Sequence, residues 1–189
     1  GEIEVKNADY IYVHWVLNGF LNLKSLQQLA KLNKPVIIIM HDMWSITGGC
    51  HYSFECTKYI EGCDECPLFK KVKKNDYSKK EFDRKLKFYS KFDNLFFVSP
   101  SKWLYELARK AFLTKNKPVF YIPNVLDNKV FKPIKKNVAK QILNIETDAI
   151  VIAFGAVSID NARKGWEYLK KALEILHKEN ELKNILVLI

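Results

Sequence analysis

Short apolar runs alternate with helix-like stretches along most of this 189-residue chain. Residues 36–40 are uniformly apolar, which is typical of a strand buried on both faces of a parallel sheet. Before them, leucines recur at helical spacing in a segment that begins at Asn22 and ends ahead of Pro35. Residues 10–15 form a further apolar run. A strand, a helix and a strand at this spacing predict a βαβ unit with parallel strands.

The same alternation continues to the end of the chain. The pattern predicts a helix over residues 78–92, a strand over 94–99, a helix capped by Ser101 and a strand over 118–123. Residues 124–133 have no periodicity and indicate a linker. Beyond it the pattern predicts a helix over 138–143, a strand over 149–155, a helix over 163–177 and a strand over 184–189. Two such runs on either side of a linker favour two Rossmann-like α/β domains, the second cut short.

Composition indicates a folded protein, because hydrophobic residues make up 48% of the chain. No apolar run reaches the roughly 18 residues of a membrane helix, and the start lacks a signal-peptide pattern. We therefore expect a cytoplasmic protein. The chain starts with Gly and ends within a predicted strand, so we also expect a piece of a longer protein.

The net charge of +10 is concentrated in one segment. Residues 70–91 carry ten Lys or Arg side chains against three acids. Such a segment suits nucleic acid, an anionic lipid surface or phosphorylated substrates. The alternative is a helix face that is merely solvated.

Polar residues directly follow the buried strand of residues 36–40. His41 and Asp42 stand at its carboxyl end and open a loop that contains a Gly-Gly pair. In open α/β sheets, ligands bind just beyond the carboxyl ends of the strands. This loop is therefore the first candidate site. The alternative for His41 is a strand-end histidine that only bonds a backbone carbonyl.

The segment 155–165 is a second candidate. The predicted helix over 163–177 places Arg163 and Lys164 in a first turn, where cations are unfavourable, and Gly165 inside the helix. These three residues are unfavourable for a helix, and binding of a phosphate or diphosphate by free backbone N–H groups and the two cations would explain them. The spacing is not that of a P-loop. A frayed helix start with two solvated charges is the alternative.

Four cysteines follow His41 with the spacing C-x₅-C-x₆-C-x₂-C: Cys50, Cys56, Cys63 and Cys66. A reducing cytosol disfavours disulfides, and four thiolates with a closing C-x-x-C suit a structural, tetrahedral zinc ion. His51 is an alternative ligand in place of one cysteine. Free thiols or a disulfide pair remain open as alternatives to zinc.

Four segments occur in the order seen in bacterial glycosyltransferase family 4 enzymes, and most of the chain resembles that family. They are HDMWSITGGCHY, VSPSKWL, IPNVLD with F-K-P after it, and FGA followed by RKG. The resemblance implies a GT-B fold, which is α/β with Rossmann-like parallel sheet layers, here truncated at both ends. It implies residues 1–131 as an acceptor-side domain lacking its first strands, with a Cys-rich loop over 41–69. Residues 132–189 would begin the donor-binding domain.

The resemblance also implies roles for individual residues. His41 is expected to reach the donor sugar near the reacting carbon, and the basic pair Arg163 and Lys164 to hold the donor diphosphate. The remaining donor-side positions are Gly155, Ser99, Ser101, Asn124 and Asp127. Between Asn124 and Asp127 the family's Gly-Ile or Gly-Val is replaced by Val-Leu, so this turn departs from the family pattern.

The activity implied is transfer of a sugar, with retention, from a UDP- or GDP-sugar to a glycan or lipid-linked acceptor in surface polysaccharide biosynthesis. No catalytic cofactor and no nucleic acid partner are expected, and the basic segment would approach an anionic membrane surface at the inner face of the plasma membrane. The family's E-x₇-E motif and first glycine-rich loop are missing, so this piece alone is expected to be inactive. The alternatives are a zinc-stapled nucleic-acid-binding module and a non-catalytic domain of GT-B type.

Overall fold

The structure is a computed structural model that describes residues 2–17, 19–146, 148–179 and 184–189. The chain forms two compact units, Gly1–Val125 and Leu126–Ile189. The division lies six residues before the boundary expected at residue 131. The assignment of the units to an acceptor and a donor side stays a prediction.

The first unit is a parallel sheet with helices between its strands. Its helices and strands are α1 Glu2–Asn7, β1 Ile11–Val13, α2 Leu23–Ala30, β2 Val36–Ile39, α3 Tyr77–Lys91, β3 Leu95–Ser99, α4 Lys102–Lys110 and β4 Val119–Tyr121. The loop between β2 and α3 adds two 3₁₀ helices, Trp44–Ile46 and Lys58–Ile60. The four strands are parallel and lie in the order β1-β2-β3-β4. The βαβ unit predicted from the sequence is confirmed.

One face of this sheet packs against the helices. Strands that neighbour each other in both chain and sheet are joined by right-handed crossovers, which place the connecting helices on one face. Alternate strand residues therefore point into a single core with the apolar faces of α2, α3 and α4. The core includes Val13, Leu26, Val36, Ile38, Phe82, Phe88, Tyr89, Leu95, Phe97, Leu104 and Ala108.

The opposite face of the sheet corrects the prediction that β2 is buried on both sides. Val36 and Ile38 are buried, whereas Ile37 and Ile39 are only half-buried. The latter two line an open apolar depression of about 530 Å³ together with Tyr12, Phe96 and Phe120. A uniformly apolar strand shows no difference between its two faces, so the sequence pattern alone could not distinguish them.

Side-chain caps start the helices that follow the loops. Asn22 accepts a hydrogen bond from the backbone N–H of Ser25, and Ser101 accepts one from Leu104, so both predicted caps are confirmed. Asp76 does the same for α3. Most lysines of α3 are exposed, whereas Lys85 is fully buried.

The second unit contains two parallel strands. Its elements are α5 Lys136–Ile142, β5 Ile150–Ala153, a 3₁₀ helix at Ala162–Lys164, α6 Trp166–Lys178 and β6 Ile185–Leu188. The expectation of one helix over 163–177 is wrong at its start, because Gly165 has a left-handed backbone with φ of 77°. Within the described residues, no helix has both the length and the apolarity required to span a bilayer.

Candidate active site

Polar and aromatic side chains meet where β1 and β2 end. His14 and Trp15 directly follow β1, and His41 and Asp42 follow β2 after one residue. Because these strands are adjacent and parallel, both pairs lie at the same edge of the sheet. The structure therefore places His41 at a carboxyl edge, in the position where open α/β sheets bind ligands.

Asp42 is the centre of this group. One carboxylate oxygen accepts hydrogen bonds from Trp15 Nε1 at 3.0 Å and from His51 Nδ1 at 2.7 Å. The other accepts the backbone N–H of Trp44 at 2.8 Å. Three donors on a side chain that is only 11% exposed hold the carboxylate in one orientation. Asp42 thereby joins the ends of two strands to the loop that follows them.

His41 is paired with His14. His14 Nδ1 lies 3.0 Å from His41 Nε2, and the two rings stack with centroids 5.3 Å apart. A hydrogen bond at this distance carries one shared proton, so the tautomer of one ring sets that of the other. Both residues are exposed. The imidazole of His41 is thus oriented by the neighbouring strand while remaining open to solvent.

Helix α3 supports this loop from the core side. Lys85 Nζ donates hydrogen bonds to the backbone carbonyls of Trp44 at 2.5 Å and Thr47 at 3.0 Å, and it lies 3.7 Å from the centre of the Trp44 ring. Tyr89 donates to the carbonyl of Ser45. Burial lowers the pKa of Lys85 to about 7 and raises the pKa of Tyr89. Two buried polar side chains therefore fix the backbone just after Asp42.

The serines expected at the donor side have local roles. Ser99 is fully buried at the end of β3, and its hydroxyl donates to the carbonyl of Ser101 and accepts that residue's N–H. The Ser101 hydroxyl caps α4. Both hydroxyls are thus engaged in the turn between β3 and α4, and contact with a donor stays a prediction.

Asn124 and Asp127 are exposed and lie at the division between the two units. The Asp127 side chain accepts the backbone N–H of Lys129, and its carbonyl accepts those of Val130 and Phe131. Asp127 therefore shapes a local turn. Its part in donor binding stays a prediction.

The basic pair Arg163 and Lys164 lies in a short 3₁₀ helix of the loop between β5 and α6, not in the first turn of α6. Asn161 caps this turn by accepting the N–H of Arg163. Gly165 then turns the chain into α6, whose amino end has no side-chain cap. The prediction that Arg163 and Lys164 lie in the first turn of a helix is therefore wrong.

A ring contact closes the two ends of this loop. Phe154 and Trp166 have ring centroids 5.3 Å apart, one directly after β5 and the other at the start of α6. Gly155, the next residue after Phe154, is exposed, and a Cβ there would meet no atom within 4 Å. The loop thus presents both cations near an uncapped helix start, which is a favourable setting for an anion.

All four cysteines of the chain line one cavity of about 210 Å³, which we call the cysteine cavity: Cys50, Cys56, Cys63 and Cys66. All four are free thiols, and burial raises the pKa of Cys63 to about 11. Across the described parts of the chain, no group of three or more His, Cys, Asp or Glu side chains is arranged to hold a metal ion. His51 bonds Asp42 and does not line the cavity. Zinc therefore stays a prediction, and the arrangement disfavours His51 as its ligand.

Sequence reasoning missed three residues of this site and considered a fourth, His51, only as a metal ligand. His14, Trp15 and His51 contact the His41–Asp42 pair, and Lys85 lies beneath the loop. A signal for the first two was present, since they follow β1 as His41 and Asp42 follow β2. Lys85 had a weaker signal, because it lies three residues after Phe82 and four before Tyr89, on their helix face.

One comparison with known proteins is informative. Over 80 residues the chain is 31% identical to the protein of Escherichia coli (strain K12) named "Putative colanic acid biosynthesis glycosyl transferase WcaC". The match covers 39% of this chain and 18% of that relative, so the chain spans about a fifth of the relative it matches. No protein-family model and no solved structure matches the chain.

Proposed function

We propose that this chain is part of a retaining glycosyltransferase of GT-B fold, acting in surface polysaccharide biosynthesis. It would move a sugar from a UDP- or GDP-sugar to a glycan or lipid-linked acceptor. The observation that carries the proposal is the hydrogen-bonded group around His41 and Asp42 at the carboxyl edge of a parallel sheet. The partial similarity to a protein named as a glycosyl transferase supports it independently.

In this proposal His41 hydrogen-bonds the donor sugar as charge develops on it. The cavity directly beside His41 holds only about 20 Å³, enough for about one water, so the sugar would lie on its exposed outer side. His14 fixes the orientation of the ring. A hydrogen-bonding side chain that is already oriented needs no rearrangement when the transition state forms, which is the basis of electrostatic catalysis.

The leaving group would be met by the basic turn of the second unit. A nucleotide sugar releases a nucleoside diphosphate, whose negative charge increases as the glycosidic bond breaks. Arg163, Lys164 and the uncapped backbone N–H groups that begin α6 are the groups suited to that charge. Stabilising the departing diphosphate is the main chemical demand of this reaction, because its leaving group is already good.

The basic segment of residues 70–91 would face the acceptor. The exposed positions among these residues include Lys70, Lys71, Lys73 and Lys74, directly after the cysteine loop. A cluster of this kind attracts anionic lipid or a lipid-linked diphosphate, at about 1 kcal/mol for each cation near a charged surface. The acceptor would then reach the protein at the membrane face.

The test uses the full-length protein and titrates it with UDP, GDP and ADP by calorimetry. Saturable binding of one nucleotide is expected, weakened about tenfold in Lys164→Ala, because a charge-assisted hydrogen bond contributes about 1.5 kcal/mol or more. Lys171→Ala is the matched control, since Lys171 is an exposed lysine on α6 of the same unit. It should change the affinity less than twofold.

A second arm of the same experiment separates binding from chemistry. His41→Ala should bind the nucleotide like the wild type. Its rate of sugar transfer should fall about 100-fold, which is the cost of losing one hydrogen bond to the transition state. A folded protein that binds none of the nucleotides would overturn the proposal. Equal weakening by Lys164→Ala and Lys171→Ala would reject the basic turn as the diphosphate site.

A further inference from the structure

The structure assigns a second role to the loop between β2 and α3. We propose that the four thiols of the cysteine cavity bind one zinc ion, which holds this loop in shape beside the candidate active site. The proposal concerns metal binding alone and does not rest on the proposed sugar transfer. It rests on how the chain brings the cysteines together.

First, the four cysteines come together in one cavity. The four cysteines come from separate points of a loop whose only helical parts are the two 3₁₀ helices. No cysteine of this chain lies elsewhere in the sequence, and all four line the same cavity. As small apolar residues, free cysteines could fill a core at any position. Their collection in one place is the pattern of a thiolate ligand set.

The second observation is the backbone beside the cysteines. Three of them directly follow a residue with positive φ: Gly49 at 137°, Gly62 at 155° and Glu65 at 47°. For a residue with a side chain, such as Glu65, this conformation costs about 1–2 kcal/mol. Unfavourable backbone of this kind persists where the surroundings hold it and is concentrated at functional sites.

Side chains hold the closing C-x-x-C turn in place. Lys58 Nζ donates to the carbonyls of Asp64 and Glu65, the two residues between Cys63 and Cys66. The N–H of Cys66 donates to Asp76, the residue that caps α3. The last pair of thiols is thus anchored to the start of a core helix.

The third observation is a donor directed at sulfur. The backbone N–H of Gly48 lies 3.2 Å from Cys63 Sγ and donates to it, which partly offsets the rise in the pKa of this thiol that burial causes. Only glycine fits, because a Cβ at position 48 would come within 2.3 Å of the Ser78 carbonyl oxygen and 2.8 Å of Cys63 Cβ. Such donors are the outer shell that supports metal ligands.

Binding is a ligand exchange without oxidation or reduction. Each thiol releases its proton to solvent as its sulfur forms a bond to Zn²⁺, so four protons leave when four bonds form. Within the described residues, no three of these side chains are arranged to hold a metal ion. The ion therefore has to draw the loop together, and metal binding should stabilise the first unit.

The test measures metal content and cobalt spectra on the full-length protein. One zinc per chain is expected after purification without chelators. After exchange, Co²⁺ should show the charge-transfer bands of several thiolates together with the visible bands of a tetrahedral site. The thiols should react with a thiol reagent only after a chelator has removed the metal.

Variants identify the ligands. Cys56→Ser and Cys66→Ser replace half-buried thiols, so they are suited to test binding in a chain that still folds. Each should lower zinc affinity at least tenfold and weaken the charge-transfer bands. His51→Ala is the control and should keep both, since His51 lies outside the cavity.

Different results would overturn zinc binding itself and the four-cysteine ligand set. A folded protein with no metal and four reactive thiols, or with a disulfide seen by mass spectrometry, would overturn the proposal. Loss of zinc in His51→Ala with retention in Cys66→Ser would reject the four-cysteine ligand set. Nucleotide binding, measured separately, would be unaffected by either result.

Discussion

At the scale of single residues, the site depends on side chains whose partners are distant in the sequence. Asp42 bonds Trp15, which lies 27 residues away, and Lys85 bonds the carbonyl of Trp44, 41 residues away. His41 and Asp42 could be predicted because a polar pair ended an apolar strand. Their partners could not, because a hydrogen bond across two strand ends depends on the register of the sheet.

Asp42→Asn tests whether this carboxylate organises the site. One oxygen becomes an NH₂ group, which donates and cannot accept. Either Trp15 and His51 or the backbone N–H of Trp44 therefore loses its acceptor. We expect the free energy of unfolding of the first unit to fall by about 1–3 kcal/mol, the cost of unsatisfied polar groups. Urea denaturation of the 189-residue chain in a Trp166→Phe background measures it, because the remaining tryptophans of these residues all lie in that unit.

Asp83→Asn is the matched control for this substitution. Asp83 is about half exposed and pairs with Lys79 on the surface of α3, where such pairs contribute little. It should change stability by less than about 0.5 kcal/mol. An equal loss in both variants would mean that Asp42 has no special organising role.

At the scale of elements, the main difference from expectation is the start of α6. Apolar periodicity predicted a continuous helix from residue 163. Gly165 interrupts it, because glycine adopts a left-handed backbone at no steric cost and so separates a 3₁₀ turn from the helix. Hydrophobic periodicity does not report backbone handedness, so the sequence pattern missed this boundary.

Gly165→Ala distinguishes a continuous helix from a helix interrupted at Gly165, because its effect on the stability of the second unit has opposite signs in the two cases. Inside a helix, alanine would stabilise the second unit by about 0.5–1 kcal/mol. At a φ of 77° it should instead destabilise that unit by about 1 kcal/mol, because a Cβ clashes in the left-handed region. Hydrogen exchange of the amides of β5 and β6 measures the change.

Gly155→Ala serves as its reference. Position 155 lies in the same loop, lacks a left-handed backbone and has open space for a Cβ. Its effect on the same amides should be close to zero. Stabilisation by Gly165→Ala would restore the continuous helix as the better description.

At the scale of the whole molecule, one buried charge couples folding to pH. Burial lowers the pKa of Lys85 from 10.5 to about 7, and the groups whose charge acts on it are Glu81, Cys63, Cys50 and Asp42. Below pH 7 both the folded and the unfolded chain carry the proton. Between pH 7 and 10.5 the unfolded chain binds a proton that the folded chain lacks.

The free energy of unfolding of the first unit should therefore rise with pH between about 7 and 8, with a slope of up to about 1.4 kcal/mol per pH unit. At higher pH the buried thiol of Cys63, whose pKa burial raises to about 11, opposes this rise. Lys85→Met should remove this rise, and urea denaturation between pH 6 and 8.5 measures it. Lys87→Met is the control, because Lys87 is exposed on the same helix and should leave the rise intact. An unchanged profile in Lys85→Met would show that Lys85 is not the titrating group.

The local pattern of residues was sufficient for the α/β class, the order of the main helices and strands from β1 onward, the caps Asn22 and Ser101, and a polar loop at the end of β2. These follow from interactions within a few residues, which periodicity and capping chemistry report directly. Three features required the tertiary structure: the open face of the sheet, the His14–His41 and Asp42–His51 contacts, and the burial of Lys85. Each depends on which elements pack together, and the free energy of packing arises between residues that are distant in the sequence.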